Sequence, residues 1–191
     1  LWIDQELYFQ DIIKRFNMME CKGVCSSIDA NRKLSSELSP NSEDEINEMK
    51  KIPYQEAVGS LLYAAQISRP DIACAVGALS RFNKNPGKAH WVAVKRVFRY
   101  LKSTLNFKLA YCRQSEDATT GFADADWAND LDIRRSTTGY VFIFQNSVIS
   151  WNSKRQPTVA LSTTDCLLMG WDEALSARAA YSMMRSSSIL L

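Results

Sequence analysis

TTGFADAD (119–126), TGYVFIFQ (138–145) and SVISWNSK (147–154) are the stretches that decide the fold. They are rich in β-branched and aromatic residues and read with a period of two, as strands do. FKLAYC (107–112) reads the same way, and Thr158 to Leu161 is a further short strand candidate. Residues 145–147, Gln-Asn-Ser, stand where a hairpin turn belongs, although the Asn-Gly signal is absent. Ser162-Thr-Thr-Asp165 then reads as a capping box that opens a last helix through about residue 180. The tail from 181 to 191 is short and serine-rich.

Upstream of residue 106 the period is helical. Tyr8, Ile12, Ile13 and Phe16 form one stripe within residues 1–19. Three further stripes lie between 54 and 105. The first is Tyr54, Val58, Leu61, Leu62 and Ala65. Pro70 disfavours helix at Arg69 and suits a new first turn. The second stripe is Ile72, Ala75, Val76, Leu79 and Phe82, and NKNPGK (83–88) is the turn after it. The third, Trp91, Val94, Phe98, Leu101 and Leu105, steps by three and four residues throughout. These stripes read as core seams between helices. Residues 20–53 are polar and acidic, with Glu37, Glu43, Asp44, Glu45 and Glu48, and read as a flexible linker at the surface. The class is therefore α+β: helices first, then strands and one helix.

The chain has 191 residues and a mass of 21.6 kDa, with 46% hydrophobic and 23% charged residues. That is ordinary globular composition, and it excludes wholesale disorder, collagen-like repetition and a coiled-coil rod. The formal net charge of +2 says nothing about partners. No apolar run is long enough to span a membrane. LWIDQELYFQ has no basic n-region, and the missing initial Met reads as a fragment of a longer product. Five scattered cysteines (21, 25, 74, 112 and 166) do not form a disulfide framework and suggest an intracellular setting, cytoplasmic or nuclear. Cys21 and Cys25 could begin a zinc site. With His90 the sole histidine and no second Cys pair at ligand spacing, they read as loop cysteines.

Local charge is more telling. From Arg81 to Arg113 there are nine Lys or Arg and no acid; from Glu116 to Asp132 there are six acids and no base. Lys88, Lys95, Arg99 and Lys102 share one side of the third helix. A basic helix followed by an acidic strand suits a phosphate-backbone binder with a metal site. Two oppositely charged surfaces that keep the chain soluble are the plainer account. The candidate metal ligands are Asp124 and Asp126, two apart on a strand and so able to point to one face. Paired carboxylates can hold Mg²⁺, whereas solvated turn acids are the common alternative.

GFADADWANDLDIRRSTTGYVFIFQNSVISWNSKRQPTVALSTTD (121–165) resembles the ribonuclease H domain of copia-type retrotransposon polyproteins. YQEAVGSLLYAAQISRPDIACAVGALSRF (54–82) and HWVAVKRVFRYLKSTLNFKL (90–109) are similar to the connector that precedes it in that family. YFQDIIKRFNMMECKGV (8–24) resembles the closing part of the family's reverse transcriptase. The resemblance covers about residues 1–180. It implies an incomplete ribonuclease H-like domain over 106–180, an antiparallel three-stranded sheet plus helix, behind a helical connector.

It also implies a nuclease for RNA in RNA–DNA hybrids, using four carboxylates and two Mg²⁺ ions. Asp124 matches the family's first metal-binding, catalytic aspartate, and Asp126 a second acid often present beside it. The catalytic glutamate is the second one of a Glu-Ala-Glu-Tyr run. Here that run reads Asp165-Cys-Leu-Leu168, with Leu167 in the glutamate's place. Helical neighbours of Leu167 are Thr163, Thr164, Gly170, Trp171 and Ala174, none acidic. The other two aspartates are expected beyond Leu191. The polymerase motif Tyr-x-Asp-Asp is absent.

Three functional expectations follow. The first is a catalytically silent piece of a Pol polyprotein that binds Mg²⁺ weakly. The second is a non-enzymatic nucleic-acid module in which Lys95, Arg99 and Lys102 contact phosphates, with Arg134 and Arg135 helping. The third is a nuclease completed by a partner chain.

Overall fold

The computed structural model describes residues 1–29, 31–112 and 119–187. Arg113 of the basic run, Glu116 and Asp117 of the acidic run, and residues 188–191 lie outside the described residues. The architecture is α+β. In chain order it comprises β1 (Trp2–Ile3), α1 (Glu6–Arg15), α2 (Glu43–Lys50), α3 (Tyr54–Ile67), α4 (Ala73–Ser80), α5 (Lys88–Ser103), β2 (Leu109–Ala110), β3 (Thr120–Asp126), β4 (Thr137–Phe144), β5 (Ser147–Arg155) and α6 (Thr163–Ser187). The chain divides into two compact units, Trp2–Leu109, and Ala110–Leu191 together with Leu1.

In the first unit, the apolar stripes of α1, α3, α4 and α5 close on one core. Phe9, Ile12, Tyr54, Val58, Leu61, Val76, Val94, Phe98 and Leu101 are all buried there. Segments that the sequence presents as separate pieces, 1–19 and 54–105, therefore share a single core. The break at Ser68–Pro70 works by capping. Ser68 ends α3, and Pro70 opens a 3₁₀ turn (Pro70–Ile72) that leads into α4.

The segment 20–53 departs from the expected flexible linker. It carries a 3₁₀ turn at Ser36–Leu38 and the helix α2. Ser42 caps α2 by accepting from Glu45 N–H at 3.3 Å, and the Glu45 carboxylate accepts from Asn41 N–H at 3.2 Å. Three acids in the first turn favour the positive end of the helix dipole. Met49 supplies the buried contact.

In the second unit, β3, β4 and β5 form an antiparallel sheet in that order. Asp124 pairs with Gly139 and Ala125 with Thr138. The β4–β5 turn is a two-residue hairpin, with Gln145 and Asn146 at φ 50° and 61°. Both lie in the left-handed region that such primed turns require, and the backbone takes it without Asn-Gly. FKLAYC gives only the two residues of β2, which pair with β1 and not with this sheet. Thr158–Leu161 is not a strand. Pro157 cannot donate to a ladder, and Leu161 is 90% exposed. The capping box forms, Asp165 N–H donating to Ser162 Oγ at 3.1 Å, and α6 runs past the expected end to Ser187.

Candidate functional site

The side of the sheet that α6 covers is fixed by Gly170. A Cβ at that position would lie 3.2 Å from Thr138 Cγ2 and 3.5 Å from Ala125 Cβ. Glu173 of α6 reaches Lys154, the register partner of Thr138, at 3.9 Å. Ala125 and Thr138 therefore lie on the face that α6 packs against. Strand alternation turns Asp124 and Asp126 to the opposite face. Gly139 and then Ser153 lie across the sheet from Asp124, and Thr137 and Arg155 across from Asp126.

Both carboxylates are exposed. Asp124 Oδ1 accepts from Ala125 N–H at 2.8 Å, and Asp126 Oδ2 accepts from the Asn129 amide. On α6, Cys166, Gly170 and Ala174 are buried toward the sheet, while Leu167 is 42% exposed. Among the described residues no three His, Cys, Asp or Glu side chains gather as a metal site. Two Mg²⁺ ions need several shared carboxylates. Asp124 and Asp126 lie on the face opposite the one that α6 packs against.

The acid that does the most locally is Asp130, which sequence reasoning passed over. It is 4% exposed. Its carboxylate accepts from Asp132 N–H at 3.0 Å, Ile133 N–H at 3.3 Å and Arg155 Nη1 at 2.9 Å. Asp at the first position of a turn is the available signal. This turn sets Arg134 at φ 56° and leaves it exposed; Arg135 is half-buried.

In the helical unit, Lys95 is exposed and sits over the Trp91 ring at 5.6 Å. Arg99 and Lys102 have partners. Arg99 Nε donates to Lys22 C=O at 2.7 Å, and Lys102 Nζ donates to Cys21 C=O at 2.8 Å and to Met19 C=O. Lys88 pairs with Glu48 at 2.5 Å, and its hydrogen bond and charge hold the Glu48 carboxyl below the ordinary value. Cys21 and Cys25 are free thiols.

Two buried polar centres in the same unit were not singled out by sequence reading. Arg69, 1% exposed, donates to both Asp71 oxygens at 2.9 and 2.7 Å and to Thr104 Oγ1 at 2.6 Å. Its guanidinium lies over the rings of Phe9, Tyr100 and Phe107. Burial would raise the Asp71 carboxyl, but Arg69 and the Tyr100 hydroxyl outweigh it and hold the group below its ordinary value. His90, also buried, accepts from Gly87 N–H through Nδ1 at 2.9 Å and stacks on Phe82.

The sequence is similar to those of known proteins. The chain is 48% identical over 165 residues to the retrovirus-related Pol polyprotein from transposon TNT 1-94 of Nicotiana tabacum. It is 36% identical over 165 residues to the corresponding polyprotein from transposon RE1 of Arabidopsis thaliana. The chain belongs to the copia-type retrotransposon Pol polyprotein family. Each alignment covers 86% of this chain but 12% and 11% of those polyproteins, so the chain corresponds to a small part of their length. A shorter relative is covered almost whole. Secreted RxLR effector protein 161 of Plasmopara viticola is 48% identical over 126 residues, 66% of this chain and 89% of that protein. No family model matches the copia-type chain. No solved structure matches it either. No helix among the described residues is long and apolar enough to cross a membrane.

Proposed function

We propose that this copia-type Pol segment joins the end of a reverse transcriptase to a ribonuclease H-like domain, and that alone it does not cleave RNA–DNA hybrids. The observation that carries the second half is the orientation of Asp124. It projects from the face opposite α6, and Leu167 occupies the glutamate position of the helix. A hydrolytic two-metal site needs carboxylates from strand and helix to converge on one point. On this reading Mg²⁺ is held weakly, and the rest of the polyprotein is the natural partner. The test is a hybrid-cleavage assay in Mg²⁺ on the chain and on Asp124→Asn. The expected result is no cleavage by either. Cleavage that Asp124→Asn abolishes would overturn the reading.

A second reading is a nucleic-acid module built on α5. Eight Lys or Arg between Arg81 and Lys108, with no acid among them, favour it. Lys95 over Trp91 offers an exposed cation beside an aromatic ring. Binding of an RNA–DNA hybrid across a salt series tests it. A flat dependence removes phosphate contact.

A further inference from the structure

Apart from Lys95, which is exposed over Trp91, the cations along this side of α5 are already in use. From the C-terminal end of α5, Lys102 holds the Cys21 carbonyl at 2.8 Å and Arg99 the Lys22 carbonyl at 2.7 Å. Arg96 faces Asp29 at 3.7 Å. Toward the N-terminal end, His90 Nε2 lies 3.2 Å from the Ser35 carbonyl, and Lys88 holds Glu48 at 2.5 Å. As the chain advances from 21 to 35, its partners on α5 retreat from 102 to 90. The segment therefore runs antiparallel along the helix as a strap. Buried Met18 and Met49 anchor its two ends. Among the described residues from 19 to 48, only Ser35 and Pro40 are buried.

We infer that residues 19–29 and 31–48 form a displaceable strap over the cationic side of α5, and that a nucleic-acid phosphate backbone binds there by taking Lys88, Arg96, Arg99 and Lys102 from it. This rests on the nucleic-acid reading of α5 above. The strap offers neutral carbonyl oxygens and two carboxylates. Cations bind phosphate oxygens more strongly than neutral carbonyls, and ion pairs between exposed groups are weak. Among the described residues, Cys21 and Leu34, both partly buried, are the strap's apolar contacts with the helical core, and most of its other residues are exposed. Such lightly packed segments open at low free-energy cost.

Two glycines allow the strap to lie close. A Cβ at Gly23 would fall 2.1 Å from Ser103 Oγ and 3.3 Å from Ser103 Cβ. A Cβ at Gly87 would fall 1.9 Å from the Leu38 carbonyl oxygen. The double variant Gly23→Val, Gly87→Ala therefore lifts the strap at both ends without changing charge.

The experiment measures affinity for a short RNA–DNA hybrid against salt, with amide hydrogen exchange read peptide by peptide. In the unaltered chain, binding should speed exchange across 19–48. The variant should bind roughly tenfold tighter, and its salt slope should steepen by about 0.9 for each phosphate newly contacted. Equal affinities, with exchange across 19–48 unchanged or slowed on binding, would overturn the strap and leave the nucleic-acid reading standing. No binding by either protein would overturn both. If the variant fails to fold, the exchange response of the unaltered chain decides alone.

Discussion

The two units solve the burial problem differently. In Trp2–Leu109, four helices close on Phe9, Tyr54, Leu61, Phe98 and Leu101, all at 2% exposure or less. In the second unit, one helix covers one face of a three-stranded sheet, using small residues such as Cys166, Gly170 and Ala174. Phe122, Leu168, Trp171 and Leu175 remain more than half exposed. A closed helical core tolerates little, whereas a sheet with a single covered face has large side chains that contribute almost nothing to its stability. The candidate carboxylates of the sequence reading, Asp124 and Asp126, sit on the less covered of the two.

The largest effect that sharpens this contrast is expected at Arg69. Its guanidinium is buried against three rings and hydrogen-bonded to Asp71 and Thr104. Arg69→Ala strands a carboxylate and opens a void, a loss of about 3–5 kcal/mol. Urea unfolding, followed by hydrogen exchange over α3 and α5, should show it. A loss under 1 kcal/mol would mean that the helical core does not depend on this cluster. The sheet unit has a smaller counterpart in Asp130. Asp130→Ala leaves two backbone N–H groups and Arg155 without their acceptor, at a cost of about 1–3 kcal/mol confined to the sheet unit. Equal losses at the two sites would erase the distinction drawn above.

How much of this was readable in the sequence depends on the range of the interaction. The stripe Val94, Phe98 and Leu101 was legible because helical period is local, and all three are fully buried. The helix α2 was missed although Ser42-Glu43-Asp44-Glu45 is a capping signal, because only Ile46 and Met49 are apolar within it. For Asp124, period two gives a shared face with Asp126 but not which face the helix will cover. That is settled by Gly170 against Ala125 and Thr138, a contact between distant parts of the chain. Arg69 read only as the residue before a proline. Its partner Thr104 lies 35 positions away, beyond any local pattern.

Acid tests the Arg69 cluster as well. Asp71 is held below its ordinary value, so the folded helical unit binds that proton less readily than the unfolded chain. Its contribution is complete above pH about 4, the ordinary carboxyl value, and is lost as the pH falls through the lower folded value. Melting temperature of the helical unit should therefore drop more steeply below pH 4 in the unaltered chain than in Asp71→Asn. Identical acid limbs would show that the Arg69 cluster gives Asp71 no advantage in the folded state.

The smallest effect tests the open face directly. Phe122 lies on β3 on the same face as Asp124, and is 58% exposed. Because water already reaches most of the ring, Phe122→Ala should change stability by no more than about 0.5 kcal/mol. Phe98→Ala, the same truncation in the helical core, should cost about 3–5 kcal/mol. The pair of denaturation midpoints isolates burial, since the chemistry removed is identical. A loss at Phe122 approaching that at Phe98 would mean that this face is covered in solution, and the orientation argument for Asp124 would have to include whatever covers it.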